Sequence, residues 1–145
     1  MIVCDTGPIV SAINKSEKRR NLFAAELLVR LVRKVIVPWP VLVETDLLLR
    51  SRDFPSAAII FGESMATDVH RLESPTAAAD LELALKLGKR YSDSGTGLPD
   101  LIVMAMAHHH KAQILTWNFR HFRSVVLKRV HHWLLLVSET EMPRP

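Results

Sequence analysis

The sequence predicts an α/β fold, a three-layer sandwich with a mainly parallel central sheet. Short apolar runs, each closed by an acid, a proline or a polar residue, recur along the chain, and segments of helical periodicity separate them. The length of 145 residues, with 48% hydrophobic and 23% charged residues, suits one compact domain with a real core and argues against general disorder. No internal repeat, low-complexity tract or interdomain linker interrupts it, so residues 1–145 read as one domain with a short tail from about residue 138.

Met1 to Cys4 read as a buried strand that ends at Asp5. A "TGP" turn follows, and Pro8 opens a brief helix through Asn14. Beyond the basic cluster Lys15, Lys18, Arg19 and Arg20, the stretch from Asn21 to about Arg33 is helical, with Phe23, Leu27 and Leu31 at fourfold spacing. Val35 to Val37 form a second strand stopped by Pro38, and Pro40 starts a helix to about Arg50. A further helix spans Phe54 to Met65, and "VHRLE" is a short strand leading to Pro75. One long helix is expected over Thr76 to Tyr91, then the loop "SDSGTG". Pro99 opens the buried helix "PDLIVMAMAHHH", Gln113 to Thr116 form a strand, and "HWLLLV" is a last strand candidate.

Composition narrows the function. The longest apolar run, "LIVMAMA", is too short to span a bilayer. The segment "MIVCD" reaches an acid without a basic region, unlike a signal peptide. A single cysteine, Cys4, forms no internal disulfide, which fits a reducing cytoplasm and a packed strand position. Lys and Arg outnumber Asp and Glu by 19 to 15, and a pI near 9.6 suits a polyanionic partner.

Within this basic background three acids hold telling positions. Asp5 lies just past the carboxyl end of the first strand, the edge where parallel sheets bind ligands, and where an Asp also caps the next helix. Glu44 is expected to project between Leu47 and Leu48 on a buried side of its helix, whereas Asp46 pairs with Arg50 on the solvent side. A buried carboxylate demands a cation, either a metal or a salt-bridging arginine. Asp100 falls in the first turn of a helix apolar almost all round, where the helix N-terminus favours an acid by about 0.3–1 kcal/mol. If the three converge they repel one another, and a hard divalent cation such as Mg²⁺ or Mn²⁺ resolves the repulsion. Asp93, in the Ser/Gly-rich loop, reads as a turn former that could add a further charge.

Other features carry less. His108 to His110 and His131 to His132 suggest zinc, but adjacent histidines on a helix cannot face one ion, so they read as surface residues. Trp39, Trp117 and Trp133 read as core or interface residues. Arg120, Arg123 and Lys15 are the candidates for phosphate contact.

At these residues the chain resembles the PIN-domain ribonucleases, and among them the VapC toxins of type II toxin–antitoxin systems. The resemblance rests on "IVCDTGPIVSAIN", "VIVPWPVLVETDLLL", "YSDSGTGLPDLIVMAMA" and "TWNFRHF", four motifs in the family's order. It implies Asp5, Glu44 and Asp100 as metal-site acids, with Asp5 and Asp100 as direct ligands. Thr6 and Thr116 would then orient them through their hydroxyls. It further implies Mg²⁺- or Mn²⁺-assisted RNA hydrolysis, a cognate antitoxin and a homodimer. The fourth position departs from the pattern, because Asn118 stands where the family has an Asp. An amide offers a carbonyl oxygen but neither charge nor base, and it also suits a helix cap before "FRHF". Two functions follow: an active ribonuclease, or a PIN-like module with weakened catalysis that binds antitoxin or RNA. A phosphoaspartyl enzyme built on Asp5 would need a second Asp two residues on, where Gly7 stands, and no glycine-rich phosphate loop supports a dinucleotide fold.

Overall fold

The computed structural model describes residues 1–127 and 133–144. Four parallel strands lie at its centre: β1 (Ile2–Cys4), β2 (Val35–Pro38), β3 (Arg71–Glu73) and β4 (Gln113–Leu115), in the order β3-β2-β1-β4. The apolar residues of β1 and β2 are all buried, as expected of strands covered by helices on both faces. Ile2 pairs with both Val35 and Gln113, which sets the register of β2, β1 and β4.

The helices are α1 (Thr6–Ile13), α2 (Lys18–Arg30), α3 (Trp39–Ser51), α4 (Pro55–Ala66), α5 (Glu82–Arg90), α6 (Leu98–His110) and α7 (Phe119–Ser124). Prolines near the starts of α3, α4 and α6 pre-set the first turn, where no backbone donor is lost. Every residue of α6 from Leu101 to Ala107 is buried, making it the central helix of the core. Asp46 pairs with Arg50 at 2.8 Å, as the i,i+4 spacing predicts.

The structure departs from the sequence reading in several places. The helix expected over Thr76–Tyr91 begins as a π-helical turn, Ala77–Leu81, before α5. The buried Asp80 carboxylate folds back to accept from Thr76 N–H (2.6 Å) and Thr76 Oγ1 (3.0 Å), and the wider turn leaves Leu81 N–H bonded to Thr76 O at 3.0 Å. "HWLLLV" yields one parallel bridge, Leu135 to Ile114, rather than a strand. Among the described residues Ile114 N–H donates to Leu134 O and Ile114 O accepts from Leu136 N–H, each at 2.8 Å, while the Trp133 indole donates to Val125 O (2.8 Å). His131 and His132 lie outside the described residues. In the run His108 to His110 two histidines have carboxylate partners: His109 Nδ1 lies 3.1 Å from Asp80 and His110 Nε2 2.6 Å from Glu73, so His110 is not a free surface residue. The tryptophans divide: Trp133 is buried, Trp117 half-buried and Trp39 46% exposed. Among the described residues no helix is long and apolar enough to cross a membrane.

Candidate functional site

The strand order places the site. From β1 the chain moves to β2 and β3 on one side, and β4 joins on the other, so a crevice opens at the carboxyl ends beside β1. Asp5 leaves β1 there and caps α1, its Oδ1 accepting from Thr6 N–H at 2.7 Å. Its own N–H donates to Leu115 O (2.9 Å), tying the end of β1 to the end of β4. Gly7 lets α1 approach β4 closely, since a Cβ at that position would meet Trp117 Cβ at 3.3 Å.

The residues after β4 then reach back. Thr116 Oγ1 donates to Asp5 Oδ2 at 2.6 Å and accepts from Asn118 N–H at 2.9 Å. Thr6 Oγ1 donates to Glu44, which α3 brings to the crevice from beyond β2. Asp100, in the first turn of α6, accepts from Asn118 Nδ2 at 2.9 Å on Oδ2. Asp5, Thr6, Glu44, Asp100 and Asn118 thus line one cleft of about 320 Å³, with Gly7, Leu48 and Trp117.

Glu44 lies at the rim of the core rather than inside it. The buried stripe of α3 runs through Val41, Thr45 and Leu49, while Leu47 is 62% exposed. Glu44, one residue before Thr45, is turned about 100° off that stripe and is half-buried against the cleft.

The electrostatics follow from the crowding. Burial pushes the Asp5 carboxyl up to about 7. The negative charge of Asp100 adds to the rise, the Thr116 and Thr6 hydrogen bonds oppose it, and Glu44 raises it slightly further. The cleft is therefore short of positive charge. Among the described residues no three His, Cys, Asp or Glu side chains already surround one point. The donor set nonetheless fits a hard divalent cation: three carboxylates on one small cleft, with spare oxygen lone pairs and mutual repulsion to be relieved.

Other expected residues fall elsewhere. Asp93 sits exposed in a 3₁₀ turn, Ser92–Ser94, and does not line the cleft. Lys15 lines a separate apolar cleft, Arg123 is held by Glu139, and Arg120 is exposed on α7. One neighbour of the acids was not singled out from the sequence. His121 Nδ1 lies 2.6 Å from Asp100 Oδ2 and 2.6 Å from Asn118 Nδ2. Its signal was the i,i+3 spacing from Asn118 across the first turn of α7, which places both on one face.

Comparison with known proteins bears on the fold and the family. No curated protein sequence matches the chain. Among solved structures, VapC20 of Mycobacterium tuberculosis, a sarcin-ricin loop cleaving toxin, is similar with a TM-score of 0.69 at 23% identity, over 78% of this chain and 85% of that one. VapBC2 from Rickettsia felis bound to a promoter DNA fragment gives 0.63 at 20% identity, over 86% and 93%. A toxin–antitoxin complex from Klebsiella pneumoniae gives 0.60 at 17% identity, over 84% and 90%. At these identities the likeness is one of fold. The sequence model of the PIN domain matches residues 2–126, nearly the whole described fold and all four corners of the cleft, and the chain belongs to the PIN domain family.

Proposed function

We propose that this protein is a divalent-metal-dependent endoribonuclease toxin, hydrolysing RNA phosphodiester bonds with Mg²⁺ or Mn²⁺ and neutralised in the cytoplasm by a cognate antitoxin. The observation that carries this reading is the meeting of Asp5, Glu44 and Asp100 in one cleft at the carboxyl edge of a parallel sheet, with Asp5 pushed up to about 7. When bound, the cation would activate a water for in-line attack and neutralise charge building on the phosphate and leaving oxygen.

Asp5 and Asp100 are the residues that would hold it directly. Thr116 and Thr6 fix Asp5 from both oxygens, so its carboxylate is oriented before any ligand arrives. Glu44, held by the Thr6 hydroxyl, would orient the attacking water or ligate through one. Arg120, exposed on the helix after Asn118, would contact a phosphate, whereas Arg123 would first have to release Glu139. Lys15 belongs to a different surface, an apolar cleft of about 450 Å³ lined by Ile9, Leu28, Ile60 and Phe61 among others. That cleft suits the apolar face of an antitoxin helix. The solved toxin–antitoxin complexes of similar fold support such a partner.

A second reading has its own observation. Asn118 donates to Asp100 where a carboxylate would repel it, so the site is partly satisfied without metal, as a binding module with weakened catalysis would be. Mn²⁺-dependent cleavage of RNA by the wild type and by Asn118→Asp separates the two. A slow wild type made about 10-fold faster or more by Asn118→Asp supports a nuclease weakened at one corner. Equal rates mean that Asn118 is no defect. Inactivity of both with ample metal removes the nuclease assignment.

A further inference from the structure

We propose that Asp100, Asn118 and His121 form a nitrogen-bearing cation pocket, in which His121 takes over the metal-holding role that the neutral side chain at position 118 cannot fill with charge. This rests on the metal-dependent reading above and adds a ligand and a metal preference to it.

The three polar atoms form a small triangle: Asp100 Oδ2 to Asn118 Nδ2 is 2.9 Å, and His121 Nδ1 is 2.6 Å from each. With Asp100 ionised, hydrogen bonding alone does not satisfy it. If His121 Nδ1 carries its proton and donates to Asp100, it meets the Asn118 amide donor to donor. If Nδ1 is bare and accepts from Asn118, its lone pair faces the lone pairs of Asp100 at 2.6 Å. A cation beside the triangle removes the conflict. With the amide turned to present its carbonyl oxygen, all three groups offer lone pairs to one point. Edges of 2.6–2.9 Å are close to the roughly 3 Å between neighbouring ligands around a cation bound at about 2.1 Å.

The ligand chemistry sets the preference. Mg²⁺ favours carboxylate, carbonyl and water oxygens, whereas imidazole suits first-row transition cations such as Co²⁺, Ni²⁺ and Zn²⁺. Exchanging a carboxylate at position 118 for a neutral amide, with an imidazole alongside, moves the pocket from the first class toward the second. His121 sits on α7 three residues after Asn118, and its side chain is 25% exposed, so it is open to an ion and its removal leaves no large cavity.

Calorimetric titration of the full chain with Co²⁺ and with Mg²⁺, alongside the visible absorption of bound Co²⁺, tests the proposal. The sites counted are those that Asp100→Asn removes, which sets aside cations bound by the other histidines. The expected result is that His121→Ala and His121→Gln each lose about 10-fold or more in Co²⁺ affinity and alter the Co²⁺ spectrum. Mg²⁺ affinity would stay within about twofold, and Asn118→Asp would raise it. Unchanged Co²⁺ affinity and spectrum in both His121 variants, with binding still abolished by Asp100→Asn, would overturn the role of His121 while leaving the carboxylate site intact. A wild type that binds none of these cations in the cleft would overturn the metal-dependent reading and this one together.

Discussion

Asp5 concentrates the chemistry and the instability of the site in one side chain. With its carboxyl at about 7 in the folded protein against an ordinary 3.8, the native state keeps a proton that the unfolded chain has released. Stability of the metal-free protein therefore falls as pH rises from about 4 to about 7 and levels off above. Asp5→Asn removes that liability. Its melting temperature should exceed that of the wild type at pH 8 by several degrees, about 2–4 kcal/mol at most, and the two should converge near pH 4–5. A divalent cation should narrow the gap at pH 8 by stabilising only the wild type. Thr116 is the second telling residue, because its hydroxyl both donates to Asp5 and accepts from Asn118 N–H. Thr116→Val keeps the shape and loses both bonds, and denaturant unfolding should show a loss of about 1–3 kcal/mol. Of the residues at this scale, Asp5 and Asp100 were readable from acids at a strand end and a helix start, and Glu44 from its place among the leucines of its helix. His121 was not, because a histidine in a basic helix looks like any solvated side chain until the fold brings Asp100 beside it.

At the scale of elements, the strands and helices follow local signals: prolines at helix starts, apolar runs for buried strands and an apolar α6. α6 bears most directly on the site, since its fully buried stretch fixes the position of Asp100 in its first turn. Met104 is completely buried within it. Met104→Ala should cost about 2–5 kcal/mol by chemical denaturation and should weaken cation binding by loosening the end that carries Asp100. The misreadings also belong to this scale. The π-helical turn at Ala77–Leu81 depends on Asp80 folding back onto Thr76, a side-chain choice that periodicity does not register. The last apolar run looked like a strand because its composition was right. Among the described residues it pairs with β4 only around Ile114, through Leu134 and Leu136, which is a bridge rather than a strand.

For the whole molecule, the exposed apolar surface is the main unsatisfied feature. Trp39, Val43 and Leu47 stand out from α3 at 46%, 53% and 62% exposure, beside Pro75 and Pro99 and next to Glu44. Such a patch on a charged protein would suit a second copy of the chain, the homodimer that the resemblance implies. Leu47→Asp should shift the protein to monomer in sedimentation experiments without changing its helical circular dichroism. A wild type that is monomeric at tens of micromolar would rule this seat out.

The sequence by itself determined the alternation of strand and helix, the parallel sheet and the three acids of the cleft. These follow from local chemistry: side-chain period, proline geometry and the position of an acid relative to the end of an element. The tertiary structure alone decided which acids meet, that Glu44 faces the cleft rather than the core, that Asp93 stays outside, and that His121 and Asn118 close on Asp100. Those outcomes depend on residues far apart in the chain and on the angle each helix takes against the sheet, which periodicity along one segment does not encode.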